Sequence, residues 1–169
     1  MRVLRSFGFI DLCGFTRFTD THGDEQAVEV LTRFRTAVRQ IASDHGVRVA
    51  KWLGDGAMFV STDEQHLVNA VLAISERADE LDVGLPLRAG MAGGNVILFE
   101  GDDYIGGAVN LAARLCDAAK PHEVLSSAWL AESFDGSVRL VDVGPRPVPG
   151  FAQQIDVVCV ERASALAET

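Results

Sequence analysis

The chain has 169 residues, 48% hydrophobic and 23% charged, which suits one globular domain able to bury its own core and excludes intrinsic disorder. Fifteen Lys and Arg against 24 Asp and Glu leave a net charge of −9; this excludes coating a nucleic-acid backbone but permits a small polyphosphate if metal ions supply positive charge. No apolar run approaches the ~20 residues of a membrane span, Asp11 interrupts any signal-peptide core, and three cysteines (Cys13, Cys116, Cys159) without a CxxC pattern point to inert buried thiols in a reducing cytoplasm.

Residues 3–10 read as a buried strand that stops at Asp11, and Gly14 makes a short turn before Phe15-Thr16-Arg17-Phe18. Ala27, Val30, Leu31, Phe34, Val38 and Ile41 follow a helical period over 24–45, closed by Gly46. Residues 47–51 and 57–61 read as strands around a tight Gly54-Asp55-Gly56 turn. Leu67, Val71, Ile74, Ala78 and Leu81 mark a second amphipathic helix. Residues 85–92 read as a strand, Gly93-Gly94 as a turn and 95–99 as another strand, with an acidic loop over 100–103. Gly106-Gly107 opens a helix over 108–118, which ends by Pro121. Strands follow at 124–125, 138–143 and 155–161, with an irregular GPRPVPG connection at 144–150 and a tail, 162–169, expected to fray. Helices between hairpins predict an α+β fold in which helices flank one sheet, as a single domain with its core over about 3–161.

Asp11 ends an apolar strand and Asp55 sits in a hairpin turn. Carboxylates displayed at strand ends suit hard divalent cations such as Mg²⁺, although Asp in turns also commonly caps local backbone. Gly14-Phe15-Thr16 lies at a strand-to-helix turn whose amides can face an anion, yet the GxxxxGK[ST] phosphate loop is absent. Asn110 and Arg114 are four apart on a helix, so they share a face; they read either as a solvent-facing pair or as an arginine fork for phosphate oxygens beside an amide. Lys51 and Asp103 offer a donor and an acceptor that could read a base edge, but spacing alone does not bring them together.

FIDLCGFT at 9–16, KWLGDG at 51–56 and DYIGGAVNLAARL at 103–115 occur in this order, and the combination resembles the class III nucleotidyl cyclases, more closely the bacterial adenylate cyclases. The resemblance runs from about residue 5 to 161. It implies a ferredoxin-like, palm-type sheet, a head-to-tail homodimer with active sites at the subunit boundary, and conversion of ATP to 3′,5′-cyclic AMP and pyrophosphate. It further implies that Asp11 and Asp55, with the Leu12 carbonyl, hold two divalent cations, Mg²⁺ or Mn²⁺. By the same resemblance the amides from Cys13 through Gly14 and Phe15 to Thr16 hold the terminal phosphates, and Lys51 and Asp103 read adenine. Asn110 is then expected to orient the ribose and Arg114 to steady the α-phosphate. Metal aspartates from one subunit would face Lys, Asp, Asn and Arg from the other.

The pattern departs from the family in one place. Many members carry a Lys before the Gly-Phe of the late loop, where this chain has Pro149, and Arg146 lies three residues earlier as a candidate substitute. Proline offers no donor, so weaker phosphate binding is expected. The alternative reading is a cyclase-like nucleotide-binding or dimerisation domain with weak or no turnover; a diguanylate cyclase is disfavoured by the missing GGDEF signature. The chain starts almost at its first predicted strand, which suits either a bare catalytic domain or a piece of a longer protein.

Overall fold

The computed structural model describes residues 1–81, 84–152 and 154–163; most of the tail expected to fray, 164–169, therefore lies outside the described residues. The elements follow in the order β1 (Arg2–Leu12), α1 (Phe15–His22), α2 (Asp24–Asp44), β2 (Arg48–Leu53), β3 (Gly56–Ser61), α3 (Glu64–Glu80) and β4 (Leu87–Phe99). They continue with β5 (Asp103–Ile105), α4 (Gly107–Ala118), β6 (Val124–Ser127), α5 (Ala128–Ala131), β7 (Val138–Arg146) and β8 (Ile155–Arg162).

One sheet runs β2-β3-β1-β4-β6-β8-β7, with β5 paired to β4. Its first four strands, joined through α2 and α3, make the ferredoxin-like βαββαβ unit, and β6, β8 and β7 extend it. Strand alternation divides the core. Ile10, Leu12 and Phe59 pack with Phe34, Val38, Leu67 and Val71 of α2 and α3 on one face. Phe7, Met58, Val60 and Val96 meet Ala112 of α4 on the other. A third cluster joins Leu115 of α4 to Leu125 and Val157. β3 is buried along its whole length, as a strand covered on both faces should be. Among the described residues no helix is long and apolar enough to cross a membrane.

Gly93-Gly94 is not a turn. β4 runs unbroken through it, with Gly93 opposite Ser6 and Gly94 opposite Arg5 of β1. These glycines serve close packing: a Cβ on Gly93 would lie 2.9 Å from Leu130 Cδ1 and 3.4 Å from the Trp129 ring. The acidic loop is shorter than expected because Asp103 enters β5, opposite Phe99. The first three residues of GPRPVPG extend β7 to Arg146 past a bulge between Asp142 and Pro145, tolerated because β7 is the sheet edge.

At Gly90 the sheet and α4 touch backbone to backbone: a Cβ there would sit 2.2 Å from the Cys116 nitrogen and 2.5 Å from the Ala112 oxygen. Those are backbone atoms of α4, which cannot rotate aside. Gly90→Ala is therefore expected to cost about 3 kcal/mol or more, lowering the melting temperature by roughly 6–12 °C in a thermal unfolding scan.

Candidate active site

Antiparallel pairing sets Asp11 opposite Gly56, the neighbour of Asp55, on one side of β1 and opposite Arg88 on the other. Gly56 makes the approach possible, since a Cβ there would lie 2.2 Å from the Ile10 oxygen. The Leu12 N–H donates to the Asp55 carbonyl at 3.2 Å, which fastens the hairpin turn to the end of β1. Asp11, Leu12, Cys13, Gly14, Phe15, Thr16, Asp55 and Arg88 line one cavity of about 360 Å³. Burial, then a hydrogen bond to Asp11 and its charge, push Asp55 up to about 6, against the opposing pull of Arg88.

Gly14 adopts φ 81°, a left-handed conformation suited to glycine, and starts α1 into this cavity. Among the described residues no side chain caps α1, and the first intrahelical bond runs from the Phe18 N–H to the Gly14 carbonyl. The amides of Phe15, Thr16 and Arg17 are thus without helical acceptors. The Cys13 amide departs from expectation: it already donates to the Pro86 carbonyl at 2.8 Å, so it is not free for an anion. Cys13 and Cys159 are only half-buried, whereas Cys116 is buried and its thiol is pushed up to about 12, chiefly by that burial.

Lys51 and Asp103, 52 positions apart in the chain, meet with Nζ 3.0 Å from Oδ1, each about half exposed. Lys51 spends one of three N–H donors on this pair and Asp103 keeps its second oxygen, so a donor and an acceptor remain side by side. The strand and turn from Lys51 to Asp55 are gripped from α2. Arg35 and Arg39 each stack on Trp52 with the guanidinium carbon 5.0 Å from the ring centroid, and Arg35 Nη2 donates to the Gly54 carbonyl at 2.9 Å.

Asn110 and Arg114 line a second cavity of about 360 Å³ with Gly107, Ala113, Pro149, Gly150 and Phe151. Both side chains are exposed, and among the described residues neither has a hydrogen-bond or ion-pair partner. Arg146 does not line this cavity; its Nη1 lies 3.6 Å from Glu123 Oε1, which orients it toward that carboxylate. Within one chain the predicted site residues therefore fall into separate groups: the acidic cavity, the Lys51–Asp103 pair, and the cavity of Asn110 and Arg114.

Arg88 was not anticipated. Its Nε and Nη2 both donate to Asp11 Oδ2, at 3.2 and 2.9 Å, and its Nη1 donates to the Asp117 carbonyl at 3.0 Å. The available signal was a lone charge inside the apolar stretch Leu87-Arg88-Ala89-Gly90-Met91. Arg35 and Arg39 carried a similar signal, two cations four apart on one helix.

Two carboxylates beside the Leu12 backbone form a hard oxygen set that fits Mg²⁺ or Mn²⁺ completed by substrate oxygens. Among the described residues no group of three or more His, Cys, Asp and Glu side chains gathers, so the protein alone offers no full cage.

No protein-family model matches the chain. It is 37% identical over 149 residues to an uncharacterised protein of Mycobacterium tuberculosis, a match covering 88% of this chain and 39% of that protein. It is 34% identical over 127 residues to an adenylate cyclase of Streptomyces coelicolor, covering 75% of this chain and 33% of that protein. The chain thus spans about two-fifths or less of the length of these relatives. The adenylyl cyclase CyaB from P. aeruginosa superimposes with a TM-score of 0.86 at 26% identity, covering 98% of this chain and 97% of that one. The guanylate cyclase domain of RhGC from Catenaria anguillulae, in complex with GTP, gives 0.87 at 18% identity, covering 97% and 100%, a likeness in fold alone. Fold and relatives together define a nucleotidyl cyclase catalytic domain. The chain belongs to the class III nucleotidyl cyclases.

Proposed function

We propose that the protein converts ATP to 3′,5′-cyclic AMP and pyrophosphate in a head-to-tail homodimer whose active sites each draw on two chains. The observation that carries this reading is the meeting of Asp11 and Asp55 in one cavity at the uncapped start of α1. Divalent cations held there by the two carboxylates and the Leu12 carbonyl would supply the Lewis acidity that activates the ribose 3′-oxygen and stabilises the departing pyrophosphate. The first amides of α1, which have no helical acceptor, and the Arg88 guanidinium bind the outer phosphate oxygens.

From the partner chain, Asn110 holds the ribose so that its 3′-oxygen faces the α-phosphorus, a gain in proximity. Arg114 meets the charge that grows on the α-phosphate during attack. Its lack of a partner supports this, because nothing among the described residues must be displaced first. Separation of the acidic cavity from the cavity of Asn110 and Arg114 supports a site completed by a second chain.

Base choice rests on Lys51 and Asp103. Adenine presents an N1 acceptor and an N6 donor, matching the spare ammonium donors and the free carboxylate oxygen; guanine reverses the polarity. The fold is shared with a guanylate cyclase domain, so these side chains and not the fold must decide. With Mn²⁺, purified protein is expected to form cyclic AMP and pyrophosphate from ATP and far less product from GTP. Asp103→Ala should lower kcat/KM for ATP by about 10-fold or more, as for a lost hydrogen bond to a charged group, and move the ATP-to-GTP ratio toward one. Equal turnover of both nucleotides by the unaltered protein would remove the role given to this pair.

A weak enzyme is the second reading, favoured by Pro149. It lines the cavity of Asn110 and Arg114 where a phosphate-binding cation is expected, and Arg146 is turned to Glu123. The same assay separates the two readings through kcat.

A further inference from the structure

We propose that Arg88 is a resident counter-cation that holds the acidic cavity closed to divalent ions until a nucleotide triphosphate arrives. The inference rests on the cyclase reading above and concerns the order in which the site fills.

Two donors of Arg88 converge on the same carboxylate oxygen, Asp11 Oδ2, at 3.2 and 2.9 Å. Both side chains are only a little over one quarter exposed, 28% for Arg88 and 27% for Asp11. A charge-assisted fork with this much water excluded is stronger than an exposed ion pair. It consumes the lone pairs of an oxygen that a cation would need, and a divalent ion on Asp11 would stand beside a like charge. The cavity therefore has two carboxylates but only part of their charge to offer, in a donor set already short of a protein cage.

A triphosphate changes this balance. Its oxygens are a better match for the planar guanidinium than a carboxylate already shared with a metal. Arg88 need not leave the site to reach them, because Nη1 stays anchored on the Asp117 carbonyl at the end of α4 at 3.0 Å. Turning from Asp11 toward phosphate frees Oδ2 for the metal ion. Metal and nucleotide then load together, and each tightens the other by the same factor.

The test measures Mn²⁺ binding directly, by the loss of the free-ion electron paramagnetic resonance signal, in the absence of nucleotide. Arg88→Met is expected to bind Mn²⁺ about 10-fold more tightly than the unaltered protein, and Arg88→Lys, which keeps a cation, to stay within about 3-fold of it. Arg88→Gln gives the same reading should the Met variant fail to unfold cooperatively. Equal or weaker Mn²⁺ binding by Arg88→Met, while Asp55→Asn still abolishes binding, overturns the counter-cation role and leaves the metal site standing. Arg88→Lys binding as tightly as Arg88→Met also overturns it. Absence of Mn²⁺ binding by the unaltered protein, even with a non-cyclising ATP analogue, overturns the metal site and this proposal with it.

Discussion

Asp55→Asn is expected to lower cyclic AMP formation by at least about 10³-fold while making the metal-free protein more stable at neutral pH. The activity loss follows from removing one of two carboxylates on which the metal set depends; a single electrostatic donor is already worth roughly 10²–10³ in rate. The stability gain follows from the shift at Asp55. Its carboxyl is pushed up to about 6, first by burial and then by the hydrogen bond and charge of Asp11. A group that holds its proton more tightly in the folded state contributes stability that is present in acid. That stability is lost as pH rises from about 4 through about 6. After discounting for solvent screening the loss is about 1 kcal/mol. Asparagine keeps a donor toward Asp11 and never ionises. Asp55→Asn should therefore melt roughly 2–4 °C above the unaltered protein at pH 7.5, with the gain vanishing near pH 4. Asp11→Asn should do the reverse in stability, because it leaves the Arg88 guanidinium without its carboxylate, while losing activity to a similar degree. Thermal scans across pH with chelator present, alongside a cyclic AMP assay, check both halves.

Arg114→Ala is expected to reduce kcat by about 10²-fold with a much smaller change in KM, because the guanidinium meets charge that develops only as the α-phosphate is attacked. With no partner among the described residues and an exposed side chain, Arg114 can be changed with little effect on the fold, so the melting temperature should stay within about 2 °C. Arg114→Lys should recover only part of the rate, since an ammonium lacks the planar fork. Steady-state kinetics with ATP checks the split. A rise in KM at unchanged kcat would move Arg114 from the reacting phosphate to simple substrate binding.

Much of this architecture could be read from local patterns. Apolar runs and helical periods placed most strands and helices of an α+β sheet, the resemblance supplied its ferredoxin-like topology, and Gly54-Asp55-Gly56 placed the hairpin that turns at Asp55. The errors came where packing overrides local chemistry. Gly93-Gly94 signals a turn by composition, but the glycines stay extended because α4 and α5 lie against them. β5 is three residues long, too short for a period to register, yet it carries Asp103 to Lys51. That convergence depends on the pairing of β5 with β4, a long-range contact no spacing encodes. Arg88 is illegible in the sequence for a related reason. An arginine inside an apolar strand reveals its partner only once the register of β1 against β4 is known, and that register sets it opposite Asp11.

The most direct test of the shared site is a mixing experiment. Asp11→Ala and Arg114→Ala chains, each nearly inactive, are combined and cyclic AMP formation from ATP with Mn²⁺ is followed. If each site takes its carboxylates from one chain and its Asn110 and Arg114 from the other, a mixed dimer contains one intact site, and activity should return to about one quarter of the unaltered level at equal concentrations with random pairing. Mixed dimers that form, as shown by cross-linking of differently tagged chains, yet remain as inactive as either parent would contradict a site built from two chains.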